Sequence, residues 1–371
     1  MPDTHPPHRL SGLALPALWP IAIATAMTEA GLEVGAKALS FLAEEEKISH
    51  SPSPRLASPN AVWRDLRTML FRDYSAGRQG VPTIVDAPYA GHSAMIADYD
   101  DGQSLMQTLH ANGVRRLYLT DWKSATDDMK DLEIDQYLAE INVCVDDLGG
   151  RVNLVGLCQG GWMAAMYAAR FPAKVASLVL AGSPIDTDAG HGPVREMAHA
   201  YATSFYEDLV ATGGGRMLGR MMLRGWKSMH PVANYIEQHI DLYEHIDDPV
   251  YLRKKETFER WYENPIDLPG RWYLQVITQL FKENRLFKGE FVGLGRRLDL
   301  KDITCPTWLL AGEADDITTA DQVFHAERRL GTPHDQIRKQ LVPGGHIGLF
   351  MGARTLKEAW PGIARWIAEA R

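Results

Sequence analysis

The chain is poor in cysteine. Of its 371 residues only Cys144, Cys158 and Cys305 are cysteines. An odd count without paired spacing excludes a disulfide framework and a zinc-finger-like metal site, and it points to a reducing, cytoplasmic setting. Basic charge is also short: 39 Lys and Arg stand against 47 Asp and Glu, a formal net charge of −8. No basic stripe interleaves with aromatics, so nucleic acid is not an expected partner. Long apolar runs are missing too. Residues 13–26 (LALPALWPIAIATA) are short for a membrane span and are interrupted by Pro16 and Pro20. Their flank lacks the cationic start and cleavage pattern of a signal peptide. There is no internal repeat. Gly213-Gly214-Gly215 lies outside any strand–turn–helix unit, so no dinucleotide fingerprint is present and neither a cofactor nor a metal is called for. What remains is an ordinary globular composition, 45% hydrophobic and 23% charged, with material for a sizeable core.

Four stretches are expected. Residues 1–60 form a helical arm and linker: Leu32, Ala36, Leu39 and Leu42 keep a helical period, and residues 50–60 (HSPSPRLASPN) are rich in Pro and Ser. The arm is expected to pack on the body or on a second copy in a homodimer. Residues 61–189 and 291–371 are the two parts of a core. Strands are expected at 81–87, 116–121, 151–155, 177–182, 306–311 and 337–342. Between them lie helices at 104–109, 134–148, 162–171, 320–330 and 356–370. That alternation predicts an α/β fold, a mostly parallel sheet with helices on both faces. Across residues 190–290 the alternation stops. This stretch carries Met217, Met221, Met222, Trp226, Trp261 and Trp272 among charged residues. It is expected to form a helical cap over the active-site edge, shaping an apolar cleft.

Residues 155–161, Val-Gly-Leu-Cys-Gln-Gly-Gly, put a thiol where many hydrolases put a catalytic serine. A strand before Cys158 and an alanine-rich helix after it make a nucleophile elbow. Gly156 and Gly160 let strand and helix approach, and the helix N-terminus favours a thiolate. Such a nucleophile needs a base, and the base needs an acid to orient it. The strand through Trp308–Ala311 runs into Gly-Glu-Ala-Asp-Asp at 312–316, which nominates Asp315. Glu313 and Asp316 read as solvated surface carboxylates. In the glycine-rich loop Pro343–Gly348, His346 is free to swing over the thiol. Acyl transfer also needs donors for the developing oxyanion. The backbone N–H of Gln159 is one candidate. Ala90 or Gly91, in the loop after the strand at 81–87, supplies the other, and His92 is a candidate substrate contact.

Together these residues resemble the polyhydroxyalkanoate enzymes of the α/β-hydrolase fold, which include polymer synthases and cysteine-type intracellular poly(3-hydroxybutyrate) depolymerases. The similarity runs from about Val81 to Ile367. Gly-Leu-Cys-Gln-Gly-Gly at 156–161, Gly-Gly-His-Ile-Gly at 344–348 and Asn284–Phe291 look closest to synthases. Ala-Pro-Tyr-Ala-Gly-His at 87–92, Thr-Asp-Trp at 120–122, Pro-Ile-Asp-Thr at 184–187 and Gly-Glu-Ala-Asp-Asp-Ile at 312–317 look closer to depolymerases. Synthases usually carry a histidine where this chain has Asp316, and a bulkier loop at 89–92. In both groups the resemblance implies a Cys158–Asp315–His346 triad and an acyl-cysteine intermediate. The favoured expectation is a depolymerase acting on a polyester granule or its oligomers. A synthase using 3-hydroxyacyl-coenzyme A, or a non-catalytic coat protein on cytoplasmic granules, is the alternative.

Overall fold

In the computed structural model the described residues are 53–229 and 245–370. The expected N-terminal arm lies outside them. Residues 53–60 have no regular structure but are tied to the body: the Ser58 amide and hydroxyl both donate to the Asp98 carboxylate, at 2.9 and 2.7 Å.

Eight strands form one sheet: β1 (Ala61–Asp65), β2 (Met69–Asp73), β3 (Thr83–Asp86), β4 (Leu117–Trp122), β5 (Val152–Leu157), β6 (Val175–Ala181), β7 (Thr307–Gly312) and β8 (Ile337–Val342). Their order is β1-β2-β4-β3-β5-β6-β7-β8. β2 runs antiparallel to both β1 and β4, and every other neighbouring pair is parallel. Parallel strands covered on both faces read as unbroken apolar runs. β5 (VNLVGL) and β6 (VASLVLA) do so except at Asn153 and Ser177, which hydrogen-bond to each other at 2.8 Å, and both strands are buried along their whole length. Each fully buried Val or Leu there contributes about 1.5–3 kcal/mol. β1 and β2 were not expected from the sequence. β1, at the sheet edge, is exposed throughout, so no buried face imprints a pattern on it.

Helices α1 (Leu105–Ala111), α2 (Ile134–Asp147) and α3 (Gln159–Arg170) make the first three crossovers. From β3 the chain steps one way to β4, then returns past β3 to β5 and β6. Right-handed crossovers therefore put α1 on one face and α2 with α3 on the other. The reversal makes the carboxyl ends of β3 and β5 a topological switch point, where open α/β sheets place their sites. Two expected helices are divided. The first comprises Ala320–Phe324 and a tighter 3₁₀ turn, His325–Arg328. The second comprises Ala353–Glu358 and Trp360–Glu369, with Pro361 starting the latter. Proline has no N–H to continue a preceding helix.

The stretch between β6 and β7 is helical, as expected: α4 (Pro193–Ala200), α5 (Thr203–Thr212), α6 (Gly219–Met229), α7 (Pro249–Tyr262) and α8 (Gly270–Gln275). α8 runs on as a π-helix over Val276–Lys282. Ser53–Met229 and Asn264–Arg371 belong to one compact unit, and α7 lies in a second. Asn284 clasps the two roots of the insertion. It adopts a left-handed backbone (φ 52°), and its Nδ2 donates to Asp186 Oδ1 at 2.7 Å and Asp188 Oδ2 at 3.1 Å. Asp186 Oδ2 in turn meets His325 Nδ1 at 2.8 Å. The motifs at 184–187 and 284–291 thus meet in one hydrogen-bonded cluster.

Candidate active site

β5 ends at Leu157 and α3 begins at Gln159, three residues earlier than expected, so the whole turn is Cys158. Its backbone sits at φ 51°, ψ −117°. A side-chain-bearing residue held there costs on the order of 1–3 kcal/mol and persists only when its surroundings over-determine it. They do. The Cys158 amide donates to the Ala181 carbonyl at 2.8 Å, and the Cys158 carbonyl accepts from Gly161 at 2.9 Å. A Cβ on Gly156 would stand 2.3 Å from Gly161 Cα, and one on Gly160 2.1 Å from the Asp86 carbonyl oxygen. One on Gly161 would meet Ser183 Oγ at 1.7 Å. The doubled glycine at 160–161 therefore serves two contacts, one with β3 and one with the loop after β6. Sequence reasoning had named only Gly156 and Gly160.

The acid and histidine loops interlock beside the elbow. Glu313 N–H donates to the Val342 carbonyl at 2.9 Å and Ala314 N–H to the Gly344 carbonyl at 3.1 Å. This brings Asp315 and His346 together, with Oδ2 and Nδ1 2.8 Å apart. Asp315 Oδ1 accepts from the amides of Ile317 at 3.0 Å and Thr318 at 2.8 Å. Both side chains are buried, whereas Glu313 and Asp316 are exposed. A carboxylate can only accept, so Nδ1 carries the hydrogen and Nε2 is left for the thiol. Burial works against a charged imidazole, but the adjacent Cys158 and Asp315 outweigh it by charge and hydrogen bonding, raising His346 to about 10. The Phe350 ring meets the imidazole edge-on, with centroids 5.3 Å apart. The other cysteines differ: burial pushes the Cys144 thiol up, and Cys305 up to about 11.

Gln159, as the first residue of α3, has no intrahelical acceptor for its N–H. Across the elbow, Ala87–His92 leaves β3. Tyr89 is buried, and its hydroxyl donates to the Lys123 carbonyl at 3.0 Å. Gly91 has φ +91°, and Met222 Sδ lies 3.3 Å from where its Cβ would be. Its carbonyl accepts from Ile266 at 2.8 Å. The insertion thus touches this loop through Met222 and Ile266, contacts that no local sequence pattern marks. Ala90 and His92 are half-buried. Trp272 does not pack within the insertion alone. It lies 5.9 Å from Trp162 of α3 and 5.0 Å from Tyr89, centroid to centroid. Among the described residues no cluster of three or more His, Cys, Asp or Glu could hold a metal ion, and no helix is long and apolar enough to cross a membrane.

Residues 64–343 match a family model described as protein of unknown function (DUF3141). The chain belongs to that family. It is also 28% identical over 345 residues to the poly(3-hydroxyalkanoate) polymerase subunit PhaC of Allochromatium vinosum, covering 88% of this chain and 92% of that one. The subunit of the same name from Haloferax mediterranei is 28% identical over 318 residues. That match covers 82% of this chain but only 62% of the haloarchaeal protein. Among solved structures, a carboxylesterase of the thaumarchaeon Nitrososphaera gargenis superposes with a TM-score of 0.50 at 12% identity, over 84% of this chain and 99% of that one. This last likeness concerns the fold alone. The fold is the α/β-hydrolase fold, and the resemblance to the polyhydroxyalkanoate enzymes extends over most of the chain.

Proposed function

We propose that the chain is an acyl-transfer enzyme of polyester metabolism. It takes 3-hydroxyacyl groups from coenzyme A thioesters onto Cys158 and passes them to the hydroxyl end of a growing polyester. The observation that carries this reading is the strained Cys158 beside a buried His346 that is oriented by Asp315. His346 takes the thiol proton, and the thiolate attacks the thioester carbonyl. Backbone N–H groups of Gln159 and of Ala90 or Gly91 hold the oxyanion. Coenzyme A leaves as a thiol with the proton from His346. The chain-end hydroxyl, deprotonated by His346, then attacks the acyl-cysteine, and Cys158 recovers its proton. A thiol suits this exchange because one thioester is converted into another of similar energy. The sequence alone favours hydrolysis first; the polymerase names of the relatives support reversing that order.

Hydrolysis stays as the second reading because the loop at 87–92 and the acid loop at 312–317 look closer to the depolymerases. The same triad would serve, with water resolving the acyl-cysteine at granules in the cytoplasm. In both readings residues 190–290 act as a cap domain, and an intact buried triad is unneeded baggage for a mere coat protein. The test feeds the purified protein 3-hydroxybutyryl-coenzyme A and, separately, amorphous poly(3-hydroxybutyrate). Free coenzyme A with insoluble polymer, lost in Cys158→Ala, is the expected result. Soluble hydroxybutyrate released from polymer, with no polymer made, overturns it in favour of hydrolysis. Binding to granules that survives Cys158→Ala, with no turnover by the wild type, would leave the coat protein.

A further inference from the structure

Asp86 ends β3 directly behind the elbow. It pairs with Gly156 in the sheet register, and its carbonyl oxygen is the atom a Cβ on Gly160 would strike. The side chain is buried, with 1% exposed. Thr120 of β4 donates its hydroxyl to Asp86 Oδ1 at 2.9 Å. The same hydroxyl accepts the Ala87 N–H at 3.0 Å, and Trp122 Nε1 donates to the Ala87 carbonyl at 2.9 Å. Both backbone polar groups of Ala87, the first residue after β3, are thus fixed by β4 side chains. Asp86 sets the orientation of one of them. Its other oxygen, Oδ2, has no hydrogen-bond partner among the described residues.

We infer that Asp86 is a positioning residue of the acyl-transfer site: its carboxyl aims Thr120, which holds the loop carrying the second oxyanion donor. A buried carboxylate with one bare oxygen is costly, and the group takes up a proton instead. Burial raises Asp86 to about 8, against the weaker pull of Thr120 and Trp122. Among the described residues no counter-charge acts on the carboxyl. From α2 the titratable neighbour is Cys144, whose own burial keeps it neutral. β4 presents Thr120 and Trp122, α3 presents Gly160, and no lysine, arginine or histidine among the described residues acts on the carboxyl. When the proton leaves, the new charge must find water. Movement toward water drags the corner at Ala87 away from the elbow, and small misplacements at a reacting carbonyl are expensive.

The inference rests on the acyl-transfer reading, so one readout is independent of turnover. Kinetics on 3-hydroxybutyryl-coenzyme A and hydrogen exchange of the Ala87 amide are measured from pH 6 to 9.5 for the wild type, Asp86→Asn and Asp86→Leu. In the wild type, kcat and the pH-corrected protection of Ala87 should fall together as pH rises through about 8. Asp86→Asn keeps a neutral acceptor for Thr120 and should lose that alkaline fall, with kcat at pH 7 within about threefold of the wild type. Asp86→Leu keeps the branched shape, at a larger volume, without the acceptor. It should lower kcat roughly ten- to hundredfold with little change in KM, and should deprotect Ala87. An unchanged alkaline fall in Asp86→Asn, or wild-type kcat and protection in Asp86→Leu, overturns the inference. A wild type that turns over no acyl substrate sinks the proposed function. The protection profile of Ala87 then decides by itself whether Asp86 holds that corner through its proton.

Discussion

At the β7 side of the candidate site, Asp315 is surrounded by three donors, two amides and an imidazole. At the β3 side, Asp86 has the Thr120 hydroxyl on one oxygen and no hydrogen-bond partner among the described residues on the other. Both are buried. The contrast shows that burial alone does not decide what a carboxyl does. A carboxylate that accepts hydrogen bonds on both oxygens can orient a base, whereas one with a bare oxygen is useful only while it keeps its proton.

The same substitution at both sites should break the symmetry of the pair most clearly. Asp315→Asn presents an amide to His346 Nδ1, favouring the wrong tautomer, and kcat should fall by about 10³–10⁴-fold. Asp86→Asn should cost only about threefold at pH 7. Steady-state kinetics on one acyl substrate measures both, and equal losses at the two positions would dissolve the distinction.

Next in size comes the elbow that lies between the two aspartates. Gly160→Ala drives a methyl into the Asp86 carbonyl, a backbone atom that cannot swing aside. A loss of about 1–3 kcal/mol of stability is expected by chemical denaturation, with most activity lost as well. Gly225→Ala in α6 meets nothing within 4 Å and should instead stabilise by about 0.5–1 kcal/mol. A neutral Gly160→Ala would mean that strand and helix are not pressed together as described.

A third effect is read from stability against pH. The folded state holds the Asp86 proton up to about 8, whereas an unfolded chain releases it near 4. Between those values the folded state binds more protons, so this group makes stability fall as pH rises, and its contribution is flat above about 8. Thermal melts of Asp86→Asn should show a shallower decline than the wild type from pH 5 to 8. Parallel curves would mean that Asp86 is already ionised in the folded protein.

The elbow was legible in the sequence because its chemistry restricts residue types. A thiol at a one-residue turn must have glycines where helix and strand touch, and those glycines lie within three residues of it in the sequence. Asp315 and His346 were legible through the loops that carry them, each placed just after a strand. Asp86 was not. An aspartate ending a strand before Ala-Pro reads as an ordinary turn residue, and its significance comes from Thr120 and Trp122 on the neighbouring strand. β1 and β2 escaped for a related reason: they are short, one is wholly exposed, and it is the pairing of β2 with β4 and of β1 with β2 that makes them strands. The insertion's helical character could be read from its composition. Its attachment through Trp272 to Trp162 and Tyr89 depended on tertiary packing that no window of sequence contains.

The central claim is that Cys158 carries the acyl group. Intact-protein and peptide mass spectrometry after rapid mixing with 3-hydroxybutyryl-coenzyme A tests it most directly. The account predicts one 3-hydroxybutyryl group on the peptide containing Cys158, absent from Cys158→Ala and accumulating only slowly in His346→Ala. Turnover that persists in Cys158→Ala, or an acyl group found on any other residue, would contradict it.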